Sequence, residues 1–179
     1  MRLPRRRQRQ RQKTAFSLVE LLISVALLAI LLAAVAAAMH ASFQSYSEND
    51  KVAAATQTAR FLLGRMANEI RTAEDVQTTA TRLDILPADD GSGLQLVQYE
   101  YLDGKLYYRQ TVNGTTEGYI LLDSDEDVTL AAFAATAETG TDWQGLSCTK
   151  SVTLRITFAV GGRTFSLSAS ADPRRNQLY

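Results

Sequence analysis

The chain has 179 residues, 46% of them hydrophobic, and its 19 basic and 19 acidic side chains cancel to a formal charge of zero. One histidine, His40, and one cysteine, Cys148, exclude an intramolecular disulfide, a cysteine-based zinc site, paired-histidine metal motifs and most Ser-His or Cys-His catalytic arrangements. The sequence therefore predicts no enzyme, no cofactor and no metal.

The overall neutrality conceals an asymmetry. Arg2, Arg5, Arg6, Arg7, Arg9, Arg11 and Lys13 precede Phe16 with no acid among them, so the remainder carries 12 basic against 19 acidic groups, a formal charge of −7. A body of that sign does not favour the phosphate backbone, and no direct nucleic acid binding is expected.

Residues 16–39 follow as an apolar run in which Glu20 is the only charge. As a helix these residues extend about 36 Å, enough to cross a bilayer. The basic leader is held on the cytoplasmic side, which places the chain beyond Met39 outside the cytoplasm. An ordinary secretory signal has a shorter apolar core of about 7–15 residues. Ala34-Val35-Ala36 and Ala36-Ala37-Ala38 nevertheless satisfy the small-x-small rule for signal peptidase, so cleavage near His40 stays open, as does an uncleaved anchor. A carboxylate at the bilayer centre costs about 2.5–3.5 kcal/mol on insertion scales. Glu20 either snorkels to the cytoplasmic interface or has a partner of opposite charge.

Between Phe16 and Thr72 there is no proline and a single glycine, Gly64, so one helix of roughly 85 Å is permitted. Beyond Met39 the pattern becomes one-sided. Val52, Ala55, Ala59, Leu62, Met66, Ile70 and Ala73 recur at steps of three and four, with Leu63 widening the stripe, as expected of a helix packed on a sheet. Asp50, Lys51, Gln57, Arg60, Arg65, Asn68 and Arg71 are expected to form its solvated face.

After Glu74 the periodicity switches. Strands are predicted at 82–86, 94–102, 105–112 and about 118–122, the last three joined by Asp103-Gly104 and Asn113-Gly114, the strongest short hairpin signals. They imply a three-stranded meander. A second hairpin is predicted from the alternation at 152–160, the Gly161-Gly162 turn, and Phe165, Leu167 and Ala169. Residues 131–150, with Gly140, Trp143 and Gly145, show no clear period and are expected to be a loop. The acidic run at 123–127 and Asp89-Asp90-Gly91 are expected to be turns; the former lacks the central Gly and distal Glu of an EF-hand. Tyr99, Tyr101, Tyr107, Tyr108 and Tyr119 are better explained by strand propensity than by nucleic-acid stacking.

The basic leader followed by Ala15-Phe16-Ser17-Leu18-Val19-Glu20 resembles the processing site of type IV prepilins. In that family the leader ends in Gly or, less often, Ala, the next residue is usually Phe, and the fifth residue of the mature chain is Glu. Ala15, Phe16 and Glu20 occupy those places, with Ala15 for Gly the one departure. The resemblance implies that a membrane prepilin peptidase cuts between Ala15 and Phe16 and methylates the freed amine of Phe16. It also implies that Glu20 meets the N-terminal amine of a neighbouring subunit and sets register in a filament. A cut there would remove every leader charge and leave an amine one helical turn from Glu20.

A second resemblance lies in residues 61–73, ending in Glu69-Ile70-Arg71, followed by 99–109 around Asp103-Gly104 with Tyr107, Tyr108 and Arg109. It is similar to J-type pseudopilins of type II secretion, W-type minor pilins and the F-type competence pseudopilin, minor subunits at or near a filament tip that help initiate assembly. Together the two resemblances imply an α+β, pilin-like fold. Its expected layout is a cleaved leader (1–15), a transmembrane half-helix (16–39), an amphipathic half-helix (40–74) and an antiparallel β domain (75–179). The implied partners are prepilin peptidase, other minor and major pilins or pseudopilins through the N-terminal helix, the inner-membrane assembly platform, and membrane lipid before assembly. The implied location is the bacterial inner membrane, crossed once with the leader cytoplasmic, and then the filament. The alternative is a membrane-anchored extracytoplasmic β-domain binding module that does not polymerise.

Overall fold

A computed structural model describes residues 17–124, 128–141 and 145–173. Among them are one helix, α1 (Leu18–Thr72), and eight strands: β1 (Ala73–Thr79), β2 (Arg82–Pro87), β3 (Leu94–Leu102), β4 (Lys105–Val112), β5 (Thr115–Leu122), β6 (Val128–Thr141), β7 (Ser147–Val160) and β8 (Arg163–Ala171). The chain divides into two compact units, Met1–Ser45 and Tyr46–Tyr179, and α1 contributes to both.

In the first unit the described residues are helical from Leu18 onward. The backbone carbonyl of Ser17 accepts the Leu21 amide at 3.1 Å, the first bond of the ladder. Ser24 and Ser42 turn their hydroxyls back onto the carbonyls of Glu20 and Ala38, at 2.8 and 2.9 Å. These polar side chains are satisfied within the helix, which is the condition for carrying them through lipid.

In the second unit the helix buries one stripe, Ala55, Ala59, Leu62, Leu63, Met66, Ala67 and Ile70, with Ala59, Met66 and Ile70 wholly inaccessible. Small Ala55, Ala59 and Ala67 let the backbone approach the sheet, while Leu62, Leu63, Met66 and Ile70 fill the space between. Val52, expected in the stripe, is only half-buried. α1 ends at Thr72, whose hydroxyl folds back to the carbonyls of Asn68 and Glu69 at 3.3 and 3.1 Å; Ala73, expected in the helix stripe, is buried but opens β1 instead.

The strands form two antiparallel sheets, one of order β1-β2-β3-β4-β5 and one of order β6-β7-β8. Both Asx-Gly turns form as the sequence predicts. Asp103 and Gly104, then Asn113 and Gly114, all have positive φ (51°, 76°, 49° and 81°), the two-residue hairpin geometry whose twist matches the flanking strands. Leu83, Ile85, Val97, Tyr99, Leu106 and Tyr108 of the first sheet join Phe133, Val152, Leu154, Ile156 and Phe158 of the second and the helix stripe in one core. Polar joints link the sheets among the described residues. Thr149 Oγ1 donates to the Val76 carbonyl at 3.0 Å, the Ala137 amide donates to Thr78 Oγ1 at 3.1 Å, and Tyr101 OH reaches the carbonyls of Leu130 and Ala131 at 3.2 and 2.9 Å. This is an α+β, pilin-like architecture.

Two expectations are corrected. Residues 131–150 are largely strand: β6 is 14 residues long and β7 starts at Ser147. The period was hidden because register shifts at Leu130/Ala132 and Glu138/Thr139 each exchange the inward and outward sets, and because alanines occupy the intervening positions. The meander also has two more strands than its three expected ones form. β2 had been expected as a separate strand, and β1 gave no signal because it buries only Ala73 and Val76 among Glu74, Asp75, Gln77, Thr78 and Thr79.

Candidate functional site

Of the junction residues, Ala15 and Phe16 lie outside the described residues. Glu20 sits in the first turn of α1 and is exposed. Ser17 and Glu20 have the Ser-x-x-Glu spacing of a capping box, and the helix begins immediately after Ser17. A carboxylate in that turn also complements the positive end of the helix dipole. Ser17 is the residue sequence reasoning passed over, although this spacing is its signal.

Beyond Glu20 the first unit offers apolar surface on every side. Each large apolar residue from Leu18 to Met39 is more than half exposed, the lowest being Val35 at 53%. An apolar stripe would serve one partner, whereas a helix apolar all round belongs in lipid or inside a bundle of helices. The segment is long and apolar enough to cross a membrane.

In the second unit, the last turns of α1 are keyed to the first sheet by a buried-edge cluster. Glu69 accepts Arg65 Nε at 3.0 Å on one carboxylate oxygen and Tyr99 OH at 2.7 Å on the other. The Arg65 guanidinium lies 4.4 Å from the centre of the Tyr108 ring, which stands edge-on to Tyr99 and beside Tyr119, centroids 5.3 and 5.2 Å away. Burial, reinforced by the Glu69 charge, pushes the Tyr99 hydroxyl far above the usual tyrosine range, and the same two causes raise Tyr108. Burial opposes the Arg65 charge, but bonds to Tyr119 and Glu69 outweigh it and hold the guanidinium ionised. Arg65, expected on the solvated face, is thus half-buried against the sheet. Residues 61–73 and 99–109 meet here through Glu69–Tyr99 and Arg65–Tyr108. An open groove of about 540 Å³ borders the cluster, lined by Glu69, Arg71, Ile85, Pro87, Leu94 and Val97 among others.

The acidic segments behave as turns where they are described. Asp89 and Asp90 accept the amides of Gly91 and Ser92 at 3.1 and 2.9 Å. Asp123 accepts Lys105 Nζ at 2.9 Å and the Ser124 amide at 2.8 Å, and the Lys105 bond holds its carboxyl below the usual range. Residues 125–127 lie outside the described residues. Among the described residues no three His, Cys, Asp or Glu side chains converge as a metal site would require.

A fold of this class on a helix of this kind is consistent with one comparison: residues 10–36 match the family described as the prokaryotic N-terminal methylation motif. The match supports a type IV prepilin-like chain and spans the junction and most of the apolar run. No curated protein and no solved structure matches this chain.

Proposed function

We propose that this protein is a structural subunit of a type IV pilus-like filament, and within that class a minor pilin or pseudopilin that helps initiate or cap assembly. The observation that carries the reading is the methylation motif at residues 10–36, overlapping a helix half that is apolar on every side. Prepilin peptidase cuts between Ala15 and Phe16 and methylates the Phe16 amine. The chain waits in the inner membrane with its leader cytoplasmic and its β domain outside, and then enters the filament through the apolar helix, with the assembly platform and other pilin-type subunits as partners.

Glu20 gives the transfer its register. An ionised carboxylate and an amine each cost several kcal/mol to desolvate, and their attraction offsets that cost only when the geometry is close. A bundle of otherwise featureless apolar helices therefore settles at the stagger that brings Glu20 to a neighbour's Phe16 amine. The minor-subunit assignment draws on the resemblance of 61–73 and 99–109. The test is Glu20→Ala in the native host, reading the sheared filament fraction and the membrane fraction separately. The variant is expected in the membrane at wild-type level and missing from the filaments. Incorporation at wild-type level would remove Glu20 as the source of register, and absence of the wild-type chain from the filament fraction would leave only the anchored, non-polymerising module.

A further inference from the structure

We infer that the edge of β5, unpaired among the described residues, is a docking site for an extended segment of a different polypeptide, which adds to the first sheet as a sixth strand. An unpaired strand edge presents a row of backbone N–H and C=O groups, and proteins ordinarily blunt it with charge, proline, bulges or a covering element. In this fold the other edges are blunted. β1 is covered by the second sheet, through the Ala137–Thr78 bond to β6 and the Thr149–Val76 bond to β7. β8 carries Arg163, Thr164, Ser166, Ser168 and Ser170 between its core-facing residues, and Ser170 is bonded to Thr153 at 3.0 Å.

Over Thr115-Thr116-Glu117-Gly118-Tyr119-Ile120 the pairing of β5 with β4 is regular, and the one bulge of the strand, at Leu121, lies beyond this stretch. It contains no proline, lysine or arginine, and Glu117 is its one charge. The Asn113-Gly114 turn makes Val112 and Thr115 the closing pair, so bonding alternates along the hairpin: Thr115, Glu117 and Tyr119 pair with β4, while Thr116, Gly118 and Ile120 turn their N–H and C=O groups outward. Side chains prepare both faces of that edge. Tyr119, 53% exposed, stands on the helix side beside Tyr108, and Ile120, 44% exposed, stands on the opposite side. Between Thr116 and Ile120 the surface is level, because Gly118 lies under Arg109; a Cβ there would come within 2.7 Å of Arg109 Cγ. Arg109 is fixed in that place by Gln98 and Glu100.

The charge on the edge specifies the occupant. A second copy of β5 brings no basic side chain to Glu117, whereas a foreign strand carrying Lys or Arg there and apolar residues beside Tyr119 and Ile120 meets all three. Main-chain bonds then supply affinity and alternate side chains supply selectivity, as in strand addition generally. The inference requires only the second unit and stands whether or not the N-terminus is processed.

The test is hydrogen exchange on the full chain in detergent micelles, with and without a synthetic eight-residue peptide alternating valine with lysine or threonine. At a peptide concentration ten times its dissociation constant, exchange at Thr116, Gly118 and Ile120 is expected to slow roughly tenfold, while β8 is unchanged. Thr116→Pro, which removes one outward donor and spares the β4 ladder, and Ile120→Lys, which places a like charge against the peptide, are each expected to abolish the slowing. Three results would overturn the inference: no slowing in 115–122, equal slowing in both variants, or protein-concentration-dependent protection of these amides without peptide, which would mean that a second copy covers the edge.

Discussion

The two parts of α1 are built for different surroundings. From Leu18 to Met39 the helix is apolar on all sides and more than half exposed at each large residue, while from Tyr46 to Thr72 it is apolar on one stripe, which vanishes into the core. Backbone geometry is the same in both. What differs is the surface that has to be covered: a stripe in the second part, which packs on the sheets, and the whole circumference in the first, which suits lipid or a helix bundle. On the proposed function, stability resides in the second unit and the capacity to assemble in the first.

That comparison is broken most severely by paired deletions along the one helix. Ile70→Ala, at a wholly buried position, is expected to lower the unfolding free energy of the β domain by about 2–5 kcal/mol, whereas Leu28→Ala is expected to leave it within about 0.5 kcal/mol; denaturant titration of each variant in micelles separates them. Equal losses would show that the first unit supports the second. A smaller effect is expected from Glu69→Ala, which leaves the buried Tyr99 hydroxyl without its acceptor and Arg65 without its ion pair; a loss of about 1–3 kcal/mol should appear in the same titration. Thr149→Val breaks the joint to the Val76 carbonyl and is expected to cost about 1 kcal/mol, with increased exchange confined to β1 and β7.

The finest test uses pH. The Tyr99 hydroxyl is raised above its ordinary value, near 10, in the folded chain, so the unfolded chain releases this proton first. The resulting contribution is intact below that value and lost progressively as pH rises above it. Thermal unfolding of wild type should therefore fall with pH from about 10 upward, and Tyr99→Phe should flatten that slope relative to wild type. An unchanged slope would remove Tyr99 and Glu69 as the source.

Legibility in the sequence followed the strength of the local signal. β3 and β4 emerge with the predicted bounds because Asx-Gly turns punctuate them, and α1 ends at Thr72 as expected, although Ala73 keeps the helical spacing and is buried from β1 instead. β6 was illegible because two register shifts break its alternation and alanine marks neither face. β1 was illegible because it is largely polar and follows the helix without a turn. At the candidate site, the Ala15, Phe16 and Glu20 spacing was readable as a motif, but the Ser17 cap was not weighed. Arg65 could not be told from a solvated arginine, since its partners Tyr108 and Tyr119 arrive from strands more than 40 residues away in sequence.

The central claim, that the junction marks a processed assembly subunit, is tested most directly by the intact mass of the mature chain from its native host, with and without prepilin peptidase. The account predicts an N-terminus at Phe16 carrying one additional methyl group, and the uncut chain when the peptidase is deleted. An N-terminus near His40, or a chain that keeps its leader in the presence of the peptidase, would contradict it.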